Sequence, residues 1–221
     1  MNMENATEAY CEAFSTPEDP VLRAIYRDTQ LHQPFPRMIS GHLQGMLLQM
    51  ISRMLRPERV LELGCFTAYS AICLAIGLKE GGLLDTVEVN AELEDVIRAN
   101  IRVAGMEDRI LLHTGDAREL IRQGRLQGPY DLVFIDGDKE QYPEYYTLVF
   151  DLVRTGGYIL ADNVLWGGKV LEEVKTSDKE TGGIHLFNTM VRQDARVVQL
   201  LLPVRDGLMI IRKLDQPTLK G

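Results

Sequence analysis

Between residues 59 and 213 two hydrophobic patterns alternate along the chain. Short, nearly unbroken apolar runs fall at 59–64 (RVLELG), 83–89 (LLDTVEV), 109–115 (RILLHTG), 130–136 (YDLVFID) and 158–163 (YILADN). Runs of this length and continuity are what a strand buried on both faces requires. Between them, apolar positions recur every three to four residues, as on a helix packed against a sheet. Asn90 stands where it caps one such helix and Gly105 where it stops it; Pro143 opens another and Gly156-Gly157 closes it. The stretch 167–183 is polar and glycine-bearing and reads as a loop, followed by a helix from residue 184. The last run, VVQLLLPVRDGLMIIRK, reads as a hairpin. This alternation predicts an α/β fold: a doubly wound, mostly parallel seven-stranded sheet of Rossmann-like type, closed by an antiparallel C-terminal hairpin.

Residues 1–57 carry no strand pattern and read as a helical extension of the same domain, with 58–221 as the core. Ser15 and Glu18 have capping-box spacing, and Leu22, Ile25, Tyr26 and Thr29 share a face. Pro34 and Pro36 interrupt the pattern. Ser40 is placed to cap a further helix, on which Leu43, Met46, Leu47, Met50, Ile51 and Met54 form an apolar stripe ended by Pro57. Such a stripe serves as core or as a contact between two copies of the chain.

The formal net charge of −8 argues against a nucleic-acid partner, which needs a basic face. Anionic small molecules are less strongly disfavoured, because a local basic pocket suffices for them. Cys11, Cys65 and Cys73 match no zinc spacing and read as reduced thiols of a cytoplasmic protein. The N-terminus lacks the apolar segment of a signal peptide. No run approaches the roughly 20 apolar residues of a membrane span.

In doubly wound sheets ligands bind beyond the carboxyl ends of the strands. The first strand runs into LELGCFTAYS, where a strand-turn-helix junction holds one glycine, Gly64, instead of the three of a dinucleotide loop. Those extra glycines admit a pyrophosphate, so their lack disfavours NAD. S-adenosylmethionine has an adenosine, no phosphate and a cationic sulfonium, which suits a small turn among acidic strand ends. Glu88, 24 positions after Gly64, ends the second strand where a carboxylate commonly receives ribose hydroxyls. Asp116 and Ala117 follow the third strand, Asp136–Lys139 the fourth, and Asp162 and Asn163 the fifth. If the fourth and fifth strands are neighbours, their ends lie about 5 Å apart. Asp136 and Asp162 then share one cation with the Asn163 amide oxygen, a hard donor set that fits Mg²⁺ and, less exclusively, Ca²⁺ or Mn²⁺.

Taken together, VLELGCFTAYSA, YDLVFIDGDKEQYPEYY, GGYILADNVLWGGKV, LPVRDGLMIIRK and MISGHLQGMLLQMI resemble the class I S-adenosylmethionine-dependent O-methyltransferases, specifically the cation-dependent caffeoyl-CoA and catechol O-methyltransferase family. The resemblance implies that Glu62, Gly64 and Ser70 hold the methionine part of the cofactor, that Glu88 binds its ribose and that Ala117 lies by its adenine. It implies Asp136, Asp162 and Asn163 as metal ligands, with Asp136 also beside the cofactor, and Lys139 as general base, its pKa lowered by the ion. Met38, Ser40, Asp138 and Trp166 would line the cofactor or acceptor pocket. It further implies a phenolic small-molecule acceptor and a homodimer. Two positions depart from the family pattern: Cys65, where Thr or Val is common, and Ala68, where glycine is usual. Alanine fits there only if its φ stays below zero. The rival enzyme reading takes FIDGD as the D-x-D of a haloacid-dehalogenase-type phosphatase, but that motif normally lies near the start of a chain. A non-catalytic S-adenosylmethionine-binding protein is the other alternative.

Overall fold

A computed structural model describes residues 3–216. The helices are α1 Met3–Ala13, α2 Pro20–His32, α3 His42–Leu55, α4 Tyr69–Ala75, α5 Glu94–Val103, α6 Ala117–Arg122, α7 Tyr142–Leu152 and α8 Lys179–Gln193. The strands are β1 Arg59–Leu63, β2 Leu83–Glu88, β3 Ile110–Thr114, β4 Tyr130–Ile135, β5 Val153–Ala161, β6 Val197–Leu202 and β7 Leu208–Lys213. They form one sheet in the order β3-β2-β1-β4-β5-β7-β6. The first five strands pair in parallel, and β7 runs antiparallel to both β5 and β6. Residues 1–2 of the expected extension and 217–221 of the expected core lie outside the described residues. No described helix is long and apolar enough to cross a membrane.

Alternation along the strands feeds two cores. Leu61, Leu63, Val133 and Ile135 face α7 and α8, with Tyr142, Val149 and Phe187 packed on them. Val60, Leu132 and Phe134 face the other way, against α2, α3 and α4. Every one of these residues is buried, and the polar residues inside β1 and β2, Glu62, Asp85 and Thr86, are buried with side-chain partners.

Several element boundaries differ from the sequence expectation. Asp19 caps α2, its Oδ1 accepting from Val21 N at 2.8 Å with Pro20 in the first turn. Ser15 instead donates to Cys11 O. The residue that opens α3 is Gly41, at φ 77, where a side chain is strained; Ser40 stays just outside. α3 buries Gln44, Gly45, Leu48, Gln49, Ile51 and Ser52, whereas Met50 and Met54 are 52% and 73% exposed. The expected apolar stripe is thus turned half outward. Small residues explain it: a Cβ on Gly45 would meet Tyr69 Cε1 at 2.7 Å, so α3 lies close against α4 only along that face. Asn90 caps a 3-10 turn, Ala91–Leu93, ahead of α5. Gly156-Gly157 lies inside β5 and not at a helix end, at an irregularity where the register passes from Tyr130↔Val153 to Leu132↔Tyr158. Only part of 167–183 is loop. Trp166–Leu171 forms 3-10 turns, and Asp178 caps α8 by accepting from Thr181 N at 3.1 Å.

Candidate active site

The sheet order reverses between β1 and its neighbours β2 and β4, and a cavity of about 980 Å³ opens over the carboxyl ends there. Gly64, Ser70, Glu88, Ala117, Asp136, Asp138, Lys139, Asp162, Asn163 and Trp166 all line it, together with Met38 and Ser40 from the segment before α3. Of the residues anticipated from sequence, Glu62 alone does not.

Gly64 explains why one glycine suffices. Its φ is 99, and a Cβ there would stand 2.2 Å from the carbonyl oxygen of Asp136. Gly64 N donates to Val87 O at 3.0 Å and Asp136 N to Leu63 O at 2.8 Å. The glycine is needed where the β1 turn touches the β4 turn. The rest of the turn does without more glycine, although Phe66 and Ala68 have φ values of 51 and 66. Ala68 therefore breaks the condition set for it from sequence: it is left-handed, fully buried, and precedes α4. The left-handed strain, about 1–2 kcal/mol for a non-glycine residue, is offset by burial of its methyl and by bonds from its N–H to Cys65 O and from Ile72 N to its carbonyl, both 3.0 Å.

Glu88 is fixed by two backbone donors. Phe66 N reaches Oε2 and Asn90 N reaches Oε1, each at 2.8 Å. A carboxylate so held keeps a lone pair on each oxygen for two ligand hydroxyls. Asp116 caps α6, accepting from Arg118 N at 2.8 Å, which sets Ala117 on the cavity wall. Glu62 lies beneath this floor. Thr86 Oγ1 donates to its Oε2 at 2.5 Å, Ser70 bonds it too, and Oε1 has no partner. Burial pushes its pKa up to about 8, against those bonds. Glu62 therefore acts on the cavity through Ser70, without forming its surface.

At the other end, the register Ile135↔Ala161 brings Asp136 and Asp162 side by side on adjacent strands. Lys139 Nζ donates to Asp136 Oδ1 and to Tyr142 Oη, both at 2.8 Å, and Tyr142 Oη donates to Asp162 O at 2.9 Å. Asp162 Oδ1 accepts from Asn163 N at 2.8 Å and Oδ2 from Gln44 Nε2 at 2.5 Å. Gln44 Oε1 in turn accepts from Arg205 Nη1 at 2.6 Å. Burial raises Asp136 to about 6; Lys139 opposes the rise and the neighbouring charge of Asp162 adds to it. Lys139 is itself buried, which works against its charge, yet Asp136 and Tyr142 outweigh this and hold its pKa above the ordinary value. In this arrangement Lys139 is an ammonium donor to Asp136 and Tyr142. Asp138 sits at the rim and uses its oxygens on Glu140 N and Gln141 Nε2, both at 3.1 Å, capping the turn that carries Lys139. Trp166 Nε1 is buried without a partner.

Two buried carboxylates side by side, one with a raised pKa, are the environment a cation relieves. No group of three His, Cys, Asp or Glu side chains that could hold a metal ion is present among the described residues, and Asn163, next to Asp162 on the cavity wall, offers an amide oxygen as a third donor. The chemistry of this oxygen set fits a hard divalent ion.

A model of the family described as O-methyltransferase matches residues 12–214. The chain belongs to the O-methyltransferase family. The methyltransferase is 33% identical over 205 residues to the caffeoyl-CoA O-methyltransferase of Stellaria longipes, covering 89% of this chain and 85% of that one. It is 34% identical over 215 residues to the catechol O-methyltransferase domain-containing protein 1 of Mus musculus, covering 96% and 81%. The crystal structure of the Bacillus cereus O-methyltransferase in complex with SAH superposes with a TM-score of 0.87 at 29% identity, covering 94% of this chain and 97% of that one. Membership sets aside the phosphatase reading of FIDGD.

Sequence reasoning missed three side chains of the methyltransferase's site: Gln44, Tyr142 and Arg205. Tyr142 follows Lys139 by one helical turn, a spacing that places both on one face. Gln44 left a weaker signal, being one of three polar residues, with Gln49 and Ser52, on the buried face of α3. Arg205 sits in the β6–β7 turn and left no signal of its contacts.

Proposed function

We propose that this O-methyltransferase moves the methyl group of S-adenosylmethionine to one hydroxyl of a vicinal dihydroxy aromatic acceptor, with a divalent cation at Asp136, Asp162 and Asn163. The observation that carries this reading is the pairing of Asp136 with Asp162 at the ends of β4 and β5, on the wall of the cavity that also holds Gly64 and Glu88. The SAH of the Bacillus cereus structure supports the cofactor. The caffeoyl-CoA and catechol names of the relatives support the acceptor class.

In this reading Glu88 receives the ribose hydroxyls, the Gly64 turn and Ser70 receive the methionine part, and Ala117 meets the adenine. Met38 and Ser40 close the wall from the extension. A phenol of pKa about 10 needs a shift of roughly 3 units, about 4 kcal/mol, to be half ionised at pH 7. A divalent cation supplies several kcal/mol of that as a Lewis acid. Lys139 contributes as a positive donor to the developing phenolate. It can take the phenolic proton only as the neutral amine, after its ammonium has first lost a proton to solvent. Trp166, on the cavity wall, gives the acceptor an apolar flank that limits water. The exposed Met50 and Met54 on α3 support a second copy of the chain packing there.

The test is transfer of a labelled methyl from S-adenosylmethionine to 3,4-dihydroxybenzoate and to its methyl ester. Activity should vanish with EDTA and return with Mg²⁺. Full activity in EDTA would refute the metal role. S-adenosylhomocysteine at 100 times its dissociation constant should stabilise the protein by about 2.7 kcal/mol; no stabilisation would refute the cofactor.

A further inference from the structure

Resting on that reading of the reaction, we propose that the acceptor carries a carboxylate, bound by Arg205 with Arg37 on the same cavity wall, so that the preferred substrates are dihydroxy aromatic acids. Arg205 lies in the β6–β7 turn at φ 48, a conformation that costs a non-glycine residue about 1–2 kcal/mol. The turn that carries it is pinned. Val164 N donates to Gly207 O at 3.1 Å and Leu165 N to Asp206 O at 2.9 Å. A Cβ on Gly207 would strike Leu165 Cγ at 2.6 Å. The strained backbone thus aims the Arg205 side chain at the cavity, which it lines.

Its guanidinium is anchored by neutral groups. Nη1 donates to Gln44 Oε1 at 2.6 Å and to Ser40 O, and Nη2 reaches Ile39 O at 3.4 Å. These bonds take up Nη1 and, at the longer distance, one Nη2 hydrogen, and Nε takes part in none of them. The remaining Nε–H and Nη2–H edge has the planar geometry that binds a carboxylate through two parallel bonds. Asp206, next in the chain, turns away and accepts from Gly167 N at 2.5 Å. Neither Arg205 nor Arg37 forms an ion pair among the described residues. Arg37 lines the same cavity one residue before Met38. Lys139 is bonded to Asp136, so on a cavity wall otherwise rich in carboxylates Arg205 and Arg37 are the two cations outside any ion pair that an anionic acceptor can meet.

The placement also suits the reaction. Arg205 is one Gln44 amide group away from Asp162, through bonds of 2.6 and 2.5 Å. An aromatic ring with its hydroxyls at the Asp136–Asp162 end can therefore hold a carboxylate toward Arg205.

The test compares 3,4-dihydroxybenzoate and 3,4-dihydroxycinnamate with their methyl esters in the wild type, Arg205→Gln and Arg37→Ala. Glutamine keeps an amide donor for the Ile39 and Ser40 carbonyls while removing the charge. The wild type should prefer the acids, and the acid-to-ester ratio of kcat/KM should fall roughly tenfold or more in Arg205→Gln, as loss of a charge-assisted pair implies, and by less in Arg37→Ala. Equal losses for acid and ester would overturn the proposal, leaving Arg205 a structural tie. Trp166 is the sole tryptophan and lines the cavity, so its fluorescence reads binding without turnover. If no compound is methylated, the reaction reading fails, and titration of Trp166 with each acid and ester still decides this one. Tighter acid binding that Arg205→Gln removes supports it, and equal binding overturns it.

Discussion

Replacing Gly64 with alanine should cost far more than its position in a surface turn suggests. Two effects add. The residue sits at φ 99, outside the region open to L side chains, and strain of that kind costs on the order of 1–3 kcal/mol. The new methyl would also lie 2.2 Å from Asp136 O, 2.7 Å from its carbonyl carbon and 3.1 Å from Gly137 N. These are backbone atoms fixed by the Asp136 N to Leu63 O bond, so they cannot swing aside as a side chain would, and overpacking of this sort adds about 1–3 kcal/mol. The sum, about 2–6 kcal/mol, is a large part of the 5–15 kcal/mol typical of a folded domain. Gly81 is the control: its φ of 73 is also left-handed, but nothing lies within 4 Å of its virtual Cβ. Urea denaturation of Gly64→Ala and Gly81→Ala separates strain from contact. Gly81→Ala should lose about 1–2 kcal/mol, and Gly64→Ala at least 1 kcal/mol beyond that, with weakened S-adenosylhomocysteine binding because the turn moves off Asp136. Equal losses in the two variants would refute the claim that the β1 and β4 turns are held in backbone contact.

Gln44→Leu should destabilise by about 2–3 kcal/mol, because Gln44 is 2% exposed and its loss strips a bond from the charged Asp162 and another from Arg205; a change under 0.5 kcal/mol in urea denaturation would show those bonds to be idle. Asp194 is held down to about 2 by the Arg196 fork, with the Tyr146 hydroxyl assisting. Its folded value lies below the unfolded value of about 3.9, so the stability it adds is present above pH 4 and is lost as pH falls toward 2. In Asp194→Asn the urea midpoint should therefore fall less steeply across that window than in the wild type; identical slopes would contradict the assignment.

The central parallel strands were legible because β1, β2 and β4 are buried along almost their whole length, so their sequences stay mostly apolar until the chain leaves the sheet. That break marks Glu88, Asp116, Asp136 and Asp162, which the fold gathers from four separate strands. Cap positions were less legible. Ser15, Glu18 and Asp19 all carry cap chemistry, and only Pro20, locked in a helix-compatible φ, decides among them. α3 misled because its methionines outweigh its glutamines in any hydrophobic pattern. Its burial is decided by what Gln44 meets, and that partner lies 118 positions away in Asp162. The left-handed Ala68 was signalled only by the glycine usual at that position, since an alanine itself carries no sign of its φ.

The charges at the acid end constrain the proposed reaction further. Asp136 and Asp162 face two cations, Lys139 on Asp136 directly and Arg205 on Asp162 through Gln44. That set is already balanced before any divalent ion enters. An added double positive charge is accommodated best when the acceptor arrives ionised or when Lys139 gives up its proton. The first change brings negative charge to that buried place, and the second removes positive charge from it. Ion and acceptor should accordingly bind with positive coupling, each tightening the other by one common factor. A catechol whose hydroxyls are methylated cannot ionise and should not tighten Mg²⁺ at all.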